Sequence, residues 1–239
     1  MSTKLEIAVF SVEAAVTALK AGAHRIEFCE NPQEGGTTPS YGSLKTLRSY
    51  TTQPVFPIIR PRGGDFLYSR SEFEVMKADL LIVKELGYLG AVIGLLNADG
   101  SIDTKRTKEL VDIAGPSMQI SFHRAFDRCK DPFKALEDII TTGCKRILTS
   151  GQVPNAVDAQ AFLKKLIEQA VDRIIIMPGS GVRSNNIKEI IQATGAKEMH
   201  SSARKMQASQ MHYFKSTMQE ELLSTGVDTE EIKKMLVQL

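Results

Sequence analysis

Short apolar runs alternate with longer amphipathic segments along most of the chain. The runs are typical of buried β-strands, and the segments between them repeat their apolar positions with the 3.6-residue period of an α-helix. The predicted strands cover 5–10, 24–30, 54–60, 90–96, 119–126, 145–151, 172–179 and 196–202. The predicted helices cover 11–22, 41–49, 71–87, 104–114, 132–143, 157–170, 185–195 and 229–239. Strands that alternate with helices of this length indicate βαβ units and a parallel sheet.

Eight such units predict an α/β fold, a single (β/α)8 TIM-like barrel. Barrels of this kind are built in about 250 residues, and no linker rich in proline or glycine divides the 239 residues of this chain. We therefore expect residues 1–239 to form one domain. Within it, residues 1–203 are predicted to form the barrel units and residues 204–239 a closing helical segment.

Three of the predicted strands end in polar residues that a core would not accept. Charged, hydroxyl and glycine residues crowd the strand ends within 26–42, 56–69 and 120–126. Burying a charge or an unpaired polar group costs several kcal/mol. Active sites of (β/α)8 barrels lie at the carboxyl ends of the strands, so the three segments together predict a site there.

Side chains alternate between the two faces of a strand, and the outer face of a barrel is covered by helices. The apolar positions are therefore assigned to the outer face, which leaves a polar set pointing inward near the carboxyl ends. That inward set is Glu27, Cys29, Arg60, His123, Glu198 and His200. It is interpreted either as a functional site or as a layer of charges that satisfy one another. Glu6 and Arg25 lie low in their strands, and for them we favour a structural role.

A small-residue turn follows the seventh predicted strand, and a similar turn follows the eighth. Barrels often bind phosphate at these turns through loop N–H groups and a helix N-terminus. Arg60 and Arg62 flank Pro61, and a guanidinium group suits a carboxylate or a phosphate, although Arg62 could also be a solvated loop residue. The residues predicted to bind an anion are Arg62, Gly179, Ser180, Gly181 and Ser202.

Composition narrows the class of protein. The net charge is +2 with scattered lysines and arginines, so we expect no nucleic-acid partner, which would need a basic face. No apolar run approaches the roughly 20 residues of a membrane span, and no secretory signal pattern is visible at the N-terminus. The three cysteines, Cys29, Cys129 and Cys144, form no CxxC pair, which favours a reducing, cytoplasmic location.

Several long segments of the sequence resemble the CutC family of copper-homeostasis proteins. They are CENPQEGGTTPSYG (29–42), IIRPRGGDFLYS (58–69), VIGLLNADGSID (92–103), SFHRAFD (121–127), RILTSG (146–151) and MPGSGV (177–182). The resemblance runs from about residue 5 to residue 203. It implies a cytoplasmic TIM-like barrel that self-associates, as a homodimer or homotetramer, and a link to copper tolerance with no settled catalytic activity.

Two functions remain open. Cu(I) prefers thiolate, thioether and imidazole ligands, so Cys29 is the candidate metal ligand, with His123 and His200 able to join it. Alternatively the chain is an enzyme, with Glu27 or Asp127 as base and His123 or His200 as acid. Arg60 would then help to hold the substrate, so the catalytic candidates are Glu27, Arg60, His123, Asp127 and His200. The expected partner is a copper ion in the first case and a small phosphorylated or carboxylated metabolite in the second.

The loop after the third predicted strand carries two aromatic residues, Phe66 and Tyr68. Exposed aromatic rings are frequent anchors of protein interfaces, which would fit self-association. The other interpretation is that both rings fold back over the pocket as a lid.

Overall fold

The computed structural model describes residues 3–219 and 221–239, and it contains eight parallel strands, of which the first seven each precede a helix or a helical turn. These strands are β1 (Lys4–Val9), β2 (Arg25–Phe28), β3 (Val55–Pro57), β4 (Gly90–Ile93), β5 (Gln119–Phe122), β6 (Arg146–Thr149), β7 (Ile175–Pro178) and β8 (Glu198–Ser201). Seven lie within the predicted segments, and β1 begins one residue earlier than predicted. The other seven strands are shorter than predicted, because polar residues near their carboxyl ends leave the sheet and form loops.

Seven helices connect the strands, and an eighth follows them. They are α1 (Val12–Lys20), α2 (Tyr41–Tyr50), α3 (Arg70–Glu85), α4 (Thr104–Ala114), α5 (Pro132–Thr142), α6 (Gln160–Ala170), α7 (Ile187–Thr194) and α8 (Thr229–Leu236). Local chemistry sets several of their starts. Ser69 and Glu72 form a reciprocal capping box at α3, and Asp131 caps α5 ahead of Pro132.

The strands form two parallel four-stranded sheets, in the orders β3-β2-β1-β8 and β4-β5-β6-β7. The Ile58–Val92 bridge joins them on one side, where the Ile59 amide donates to the Val92 carbonyl at 2.8 Å. On the other side β7 packs beside β8. This arrangement confirms the predicted α/β fold of the (β/α)8 TIM type, with the strands hydrogen-bonded as two halves.

The core lies mostly between the strands and the helices. Leu5, Ile7 and Val9 of β1 point outward into this layer and are almost fully buried. A smaller apolar cluster lies inside the ring of strands, and Cys29, Phe56, Ile58 and Val92 belong to it. The alternation predicted for the strands is therefore present, and it leaves the inner face for polar side chains.

The C-terminal segment differs from the helical segment predicted for 204–239. Residues Arg204–Ala208 form β9 and pair antiparallel with β10, Leu223–Val227. Only α8 is helical, where the amphipathic pattern at 229–239 predicted it, and its Ile232 and Met235 are buried. The stretch before α8 forms strands because it offers no 3.6-residue apolar face to bury.

None of the helices in the described part of the chain is long and apolar enough to cross a lipid bilayer.

Candidate functional site

A polar pocket of about 440 Å³ opens at the carboxyl ends of the strands. The predicted residues that line it are Glu27, Cys29, Arg60, His123, Asp127, Ser180, Gly181, His200 and Ser202. The structure therefore brings together residues from both sheets. Gly179, Arg62 and Glu198 were expected in the same site, but they are not among the residues that line this pocket.

Glu198 belongs instead to a buried ion-pair layer inside the strands. Its carboxylate accepts from Arg25 at 2.6 Å and from Arg146 at 2.8 Å, and Arg25 also pairs with Glu6. The Phe56 ring lies between the two guanidinium groups, 5.1 and 5.5 Å from their central carbons. For Glu6 and Arg25 the structural role favoured from the sequence agrees with this geometry.

His200 connects the ion-pair layer to the pocket. Its Nδ1 lies 2.8 Å from Glu6 Oε1, and its Nε2 lies 3.8 Å from Glu27 Oε2. Burial alone would lower the pKa of His200, but the hydrogen bond to Glu6 and the charges of both carboxylates raise it. These interactions favour the cationic form of the ring beside Glu27.

Glu27 is a buried carboxyl group whose pKa lies near neutral pH. Burial raises its pKa to about 7, and the neighbouring Glu6 charge adds to that effect, whereas His200 and Arg25 oppose it. A carboxyl group with a pKa near the working pH can both accept and release a proton, which is the property of a general acid–base catalyst.

His123 lies on the opposite wall, directly after β5. Its Nδ1 accepts a hydrogen bond from the Ala125 amide at 3.0 Å, so the remaining ring nitrogen, Nε2, carries the hydrogen. Burial and the charge of Arg60 lower the pKa of His123 to about 3. The ring is therefore neutral at physiological pH, and it offers a donor to the pocket rather than an acidic proton.

Arg60 is buried and mainly braces the loops around the pocket. Its Nη1 donates to the carbonyls of Glu34 at 2.5 Å and Gly36 at 2.8 Å, and its Nη2 donates to Gly64 at 2.9 Å. Its central carbon also lies 5.0 Å from the centre of the Phe66 ring. Most of its donors are therefore occupied by backbone, which limits its use as a substrate clamp.

Arg62 points away from the pocket, because two nearby carboxylates hold it. Its Nη2 donates to Asp65 at 2.9 Å, and its Nε pairs with Glu72 at 2.5 Å. These side chains are largely solvent-accessible. Arg62 thus fits the solvated-loop interpretation better than the anion-binding one.

Asp127 lines the pocket but is saturated with donors. It accepts hydrogen bonds from the Thr149 hydroxyl at 2.5 Å, from the Ser150 amide and hydroxyl at 2.9–3.1 Å and from the Gln152 amide at 3.2 Å. It also pairs with Arg124 at 2.7 Å. A carboxylate held by this many donors anchors the loop after β6, and Glu27 is the better base.

The turns after β7 and β8 face the pocket through part of the predicted set. The Ser180 hydroxyl donates to the Pro154 carbonyl at 2.7 Å, which fixes the turn. Gly179 serves the site indirectly: its amide donates to Thr149, and a Cβ atom there would lie 3.0 Å from the Cβ of His200. Glycine is needed at this position so that His200 can pack against the turn.

Four arginines at the rim of the pocket were not predicted. They are Arg124, Arg128, Arg183 and Arg204. Arg183 and Arg204 come shortly after the small-residue turns that follow β7 and β8. Their closeness to those turns in the sequence was the signal that could have identified them. Together they make the rim cationic, a suitable environment for an anionic ligand.

The aromatic loop residues fold inward. Phe66 lines the pocket and its ring centre lies 5.0 Å from that of His123. Tyr68 is 4% exposed and lies against Arg62. Phe66 therefore agrees with the lid interpretation, whereas Tyr68 is buried without lining the pocket, and neither ring is an exposed interface anchor in this structure.

Cys29 is the only cysteine in the described residues that lines the pocket. Burial and the neighbouring carboxylates Glu27 and Glu6 hold the pKa of its thiol well above the usual range. No cluster of three or more His, Cys, Asp or Glu side chains suited to a metal ion occurs within residues 3–219 and 221–239. The donor set thus fits a preformed Cu(I) centre poorly, because Cu(I) binding needs a thiolate and further soft ligands.

The fold and pocket define the class: a (β/α)8 barrel with one polar site at the carboxyl ends of its strands. Residues 3–205 match the sequence model of the CutC family, so the chain belongs to the CutC family.

Similar proteins support the assignment. The family protein CutC of Photorhabdus laumondii is 50% identical over 214 residues, which are 90% of this chain and 85% of that protein. The one from Chromobacterium violaceum is 48% identical over 213 residues, 89% of this chain and 86% of that protein. A crystal structure from Streptococcus agalactiae, provisionally described as a copper homeostasis protein CutC, superposes with a TM-score of 0.79. It is 33% identical and covers 84% of this chain and 98% of its own.

Proposed function

We propose that the pocket catalyses proton transfer on a small phosphorylated or carboxylated metabolite, with Glu27 as the general acid–base group. The observation that carries this proposal is a buried carboxyl group with a pKa of about 7 in the wall of a 440 Å³ cavity. Perturbed titratable groups gathered in a cleft are typical of active sites. A purely structural layer of charges would not need an open cavity above it.

The neighbouring groups have separate roles in this mechanism. His200 lies 2.8 Å from Glu6 and 3.8 Å from Glu27, where it limits the rise in the Glu27 pKa. Arg183 and Arg204, at the rim beside the turns after β7 and β8, bind the anionic group of the substrate. Guanidinium–oxyanion pairs are charge-assisted and often bidentate, so they fix the substrate in one orientation.

A second candidate function is participation in copper homeostasis, with Cu(I) as cargo. It is supported by family membership, by the name of the streptococcal relative and by the position of Cys29 in the pocket wall. Since the surrounding donors do not form a metal cluster, Cys29 would bind Cu(I) only after losing its proton and with a ligand from outside this set. The acid–base function therefore has the stronger support.

The proposal keeps a cytoplasmic setting, in which free thiols are stable, and the three cysteines are free. We also propose that the protein assembles as a homodimer or homotetramer and that residues 1–239 form a single domain.

A thermal-shift screen of small phosphorylated and carboxylated metabolites, run beside Cu(I), tests these functions. A specific anion should stabilise the fold by about 2.7 kcal/mol at a hundredfold excess over Kd. We expect Arg183→Ala or Arg204→Ala to abolish the shift. Arg70→Ala is the matched control, because Arg70 is exposed at the start of α3 and does not line the pocket.

A shift produced by Cu(I) alone, and lost in Cys29→Ser, would favour the copper function instead. Stabilisation by anions that persists in both rim variants would contradict the placement of the anion at Arg183 and Arg204.

A further inference from the structure

We propose that the reaction is removal of a proton from the carbon next to a carbonyl group, with Glu27 as the base and the Nε2–H group of His123 as the donor to the carbonyl oxygen. This inference rests on the proposed function and adds the class of substrate. That class is a small carbonyl compound with a phosphate or carboxylate group, such as a phosphorylated hydroxyaldehyde or hydroxyketone.

The first support is a buried donor that lacks a protein partner. His123 is 4% exposed, and its Nε2 has no hydrogen-bond partner among the residues that the structure describes. Leaving a buried donor unpaired costs about 1–3 kcal/mol, so native folds rarely keep one without a reason. A donor in the wall of a cavity is satisfied when a ligand oxygen binds there.

The orientation of this donor is fixed by three contacts. The Ala125 amide occupies Nδ1, and the Phe66 ring packs over the imidazole. Gly94 lies beneath the ring, where an added Cβ atom would come within 2.3 Å of Nδ1 and Cε1. The Ala125 amide therefore fixes the tautomer, and Phe66 and Gly94 restrict the position of the ring. As a result the Nε2–H group is preorganised for an oxygen atom.

The second support is that the base and the donor come from different sheets and line one cavity. Glu27 belongs to β2 in one sheet, and His123 follows β5 in the other sheet. A small molecule that fills the cavity can therefore contact both residues. The base can then reach a carbon atom while the donor holds the adjacent carbonyl oxygen, and the arginine rim binds the anionic end.

The proposed proton transfer conserves atoms and electrons without the help of a cofactor. The Glu27 carboxylate takes a proton from the α-carbon, and the C–H electron pair becomes a carbon–carbon double bond. The carbonyl electrons move to oxygen, where the negative charge is stabilised by the His123 Nε2–H group. The proton on Glu27 exchanges with solvent, and its return to the same carbon regenerates both the carboxylate and the carbonyl compound. The net result in D2O is exchange of the α-hydrogen for deuterium.

The electrostatics agree with this division of roles. The pKa of His123, lowered to about 3, keeps the ring neutral, so it stabilises an oxyanion by hydrogen bonding without giving up its proton. The carboxyl of Glu27 faces His200, Glu6, Cys29 and Arg25 in the wall of the same cavity.

Deuterium exchange detects this chemistry without knowledge of the product. The protein is incubated in D2O with phosphorylated hydroxyaldehydes and hydroxyketones of three to five carbons, and loss of the α-proton signal is followed by 1H NMR. We expect exchange above the enzyme-free rate for at least one compound.

Two variants test the donor. His123→Leu should slow exchange by about 10²- to 10³-fold, the usual effect of removing one oxyanion donor. His123→Gln, which keeps an N–H donor, should recover part of that loss. His212→Leu, a change in an exposed histidine outside the pocket, should leave the rate unchanged. Circular dichroism confirms that each variant is folded, and 15N NMR of the wild type should show the Nε2-protonated neutral tautomer at pH 6.

The outcomes separate the two proposals. A compound that stabilises the protein through Arg183 but shows no α-exchange overturns the carbonyl chemistry and leaves the anion-binding pocket intact. Exchange that is insensitive to His123→Leu, or a cationic His123 ring at pH 6, overturns the role of His123. If no metabolite stabilises the protein and none undergoes exchange, the proposed function and this inference fail together.

Discussion

Arg25 tests whether the buried ion-pair layer stabilises the barrel. Its guanidinium group pairs with Glu6 and Glu198 while only 5% of the residue is exposed, and it stacks on Phe56. In Arg25→Leu the apolar side chain fills much of the same space but leaves two buried carboxylates with fewer partners. Breaking a buried ion pair in this way costs about 3–5 kcal/mol.

The effect should be large in an unfolding experiment. For a protein of this size each kcal/mol lowers the melting temperature by about 2–4 °C, so the variant should melt on the order of 10 °C lower. Urea denaturation at pH 7 gives the free energy of unfolding directly. The matched control is Arg173→Leu, since Arg173 pairs with Glu137 on the surface with both side chains about 40% exposed. Exposed pairs contribute only about 0–1 kcal/mol.

The same variant should change the acid sensitivity. Burial opposes ionisation of Glu6, yet Arg25 and His200 outweigh it and hold the Glu6 pKa at about 2, below its usual 4.5. The stabilisation from this carboxylate is thus present above pH 4.5 and is lost as the pH falls toward 2. In Arg25→Leu the Glu6 pKa should rise toward its usual value, so the loss of stability between pH 4.5 and pH 2 should be smaller than in the wild type. If Arg25→Leu costs no more than Arg173→Leu, the buried layer does not stabilise the fold.

Three further predictions concern the pocket and the assembly. Glu27→Gln should raise the free energy of unfolding at pH 8 by about 3 kcal/mol while abolishing exchange, because burial raises the pKa of the carboxyl from 4.5 to about 7 and the amide is uncharged. An unchanged urea midpoint would contradict this. Cys29→Ser should lower Cu(I) affinity in competition with a chelator if the pocket binds copper, and equal affinities would remove Cys29 from any such site. Light scattering should give a dimer or tetramer mass for the wild type, and Tyr213→Ser with Phe214→Ser should lower it if these exposed rings mediate association, whereas a monomer mass for the wild type would refute self-association.

The inner face of the barrel was predictable because strand alternation is local. Glu27, His123 and His200 follow or interrupt apolar runs, and each lines the pocket as the period of two requires. Glu198 shows the limit of that rule. Alternation assigns a side chain to the inner face, but its height in the barrel depends on the stagger between strands, so Glu198 lies in the ion-pair layer.

Loop side chains were harder to place, because their partners decide where they point. Arg62 pairs with Asp65 and Glu72 instead of facing the pocket, and the strand pattern gives no sign of these two ion pairs. Conversely, Arg183 and Arg204 line the rim although they lie in turns with no periodicity. The proton states of Glu27 and His123 also could not be predicted, since they follow from burial and from neighbours distant in the chain.

The strand pair β9–β10 leaves the barrel after Ala203 and returns at Asp228, where the Asp228 amide donates to the Ala203 carbonyl at 2.8 Å. Because the two ends meet, the whole arm can be shortened, exchanged or extended without altering the path of the chain into α8. The match to the CutC family ends at residue 205, at the first residues of this arm. The arm is thus a place where relatives can acquire different surfaces on a common barrel, so a replacement by a short turn should preserve the pocket.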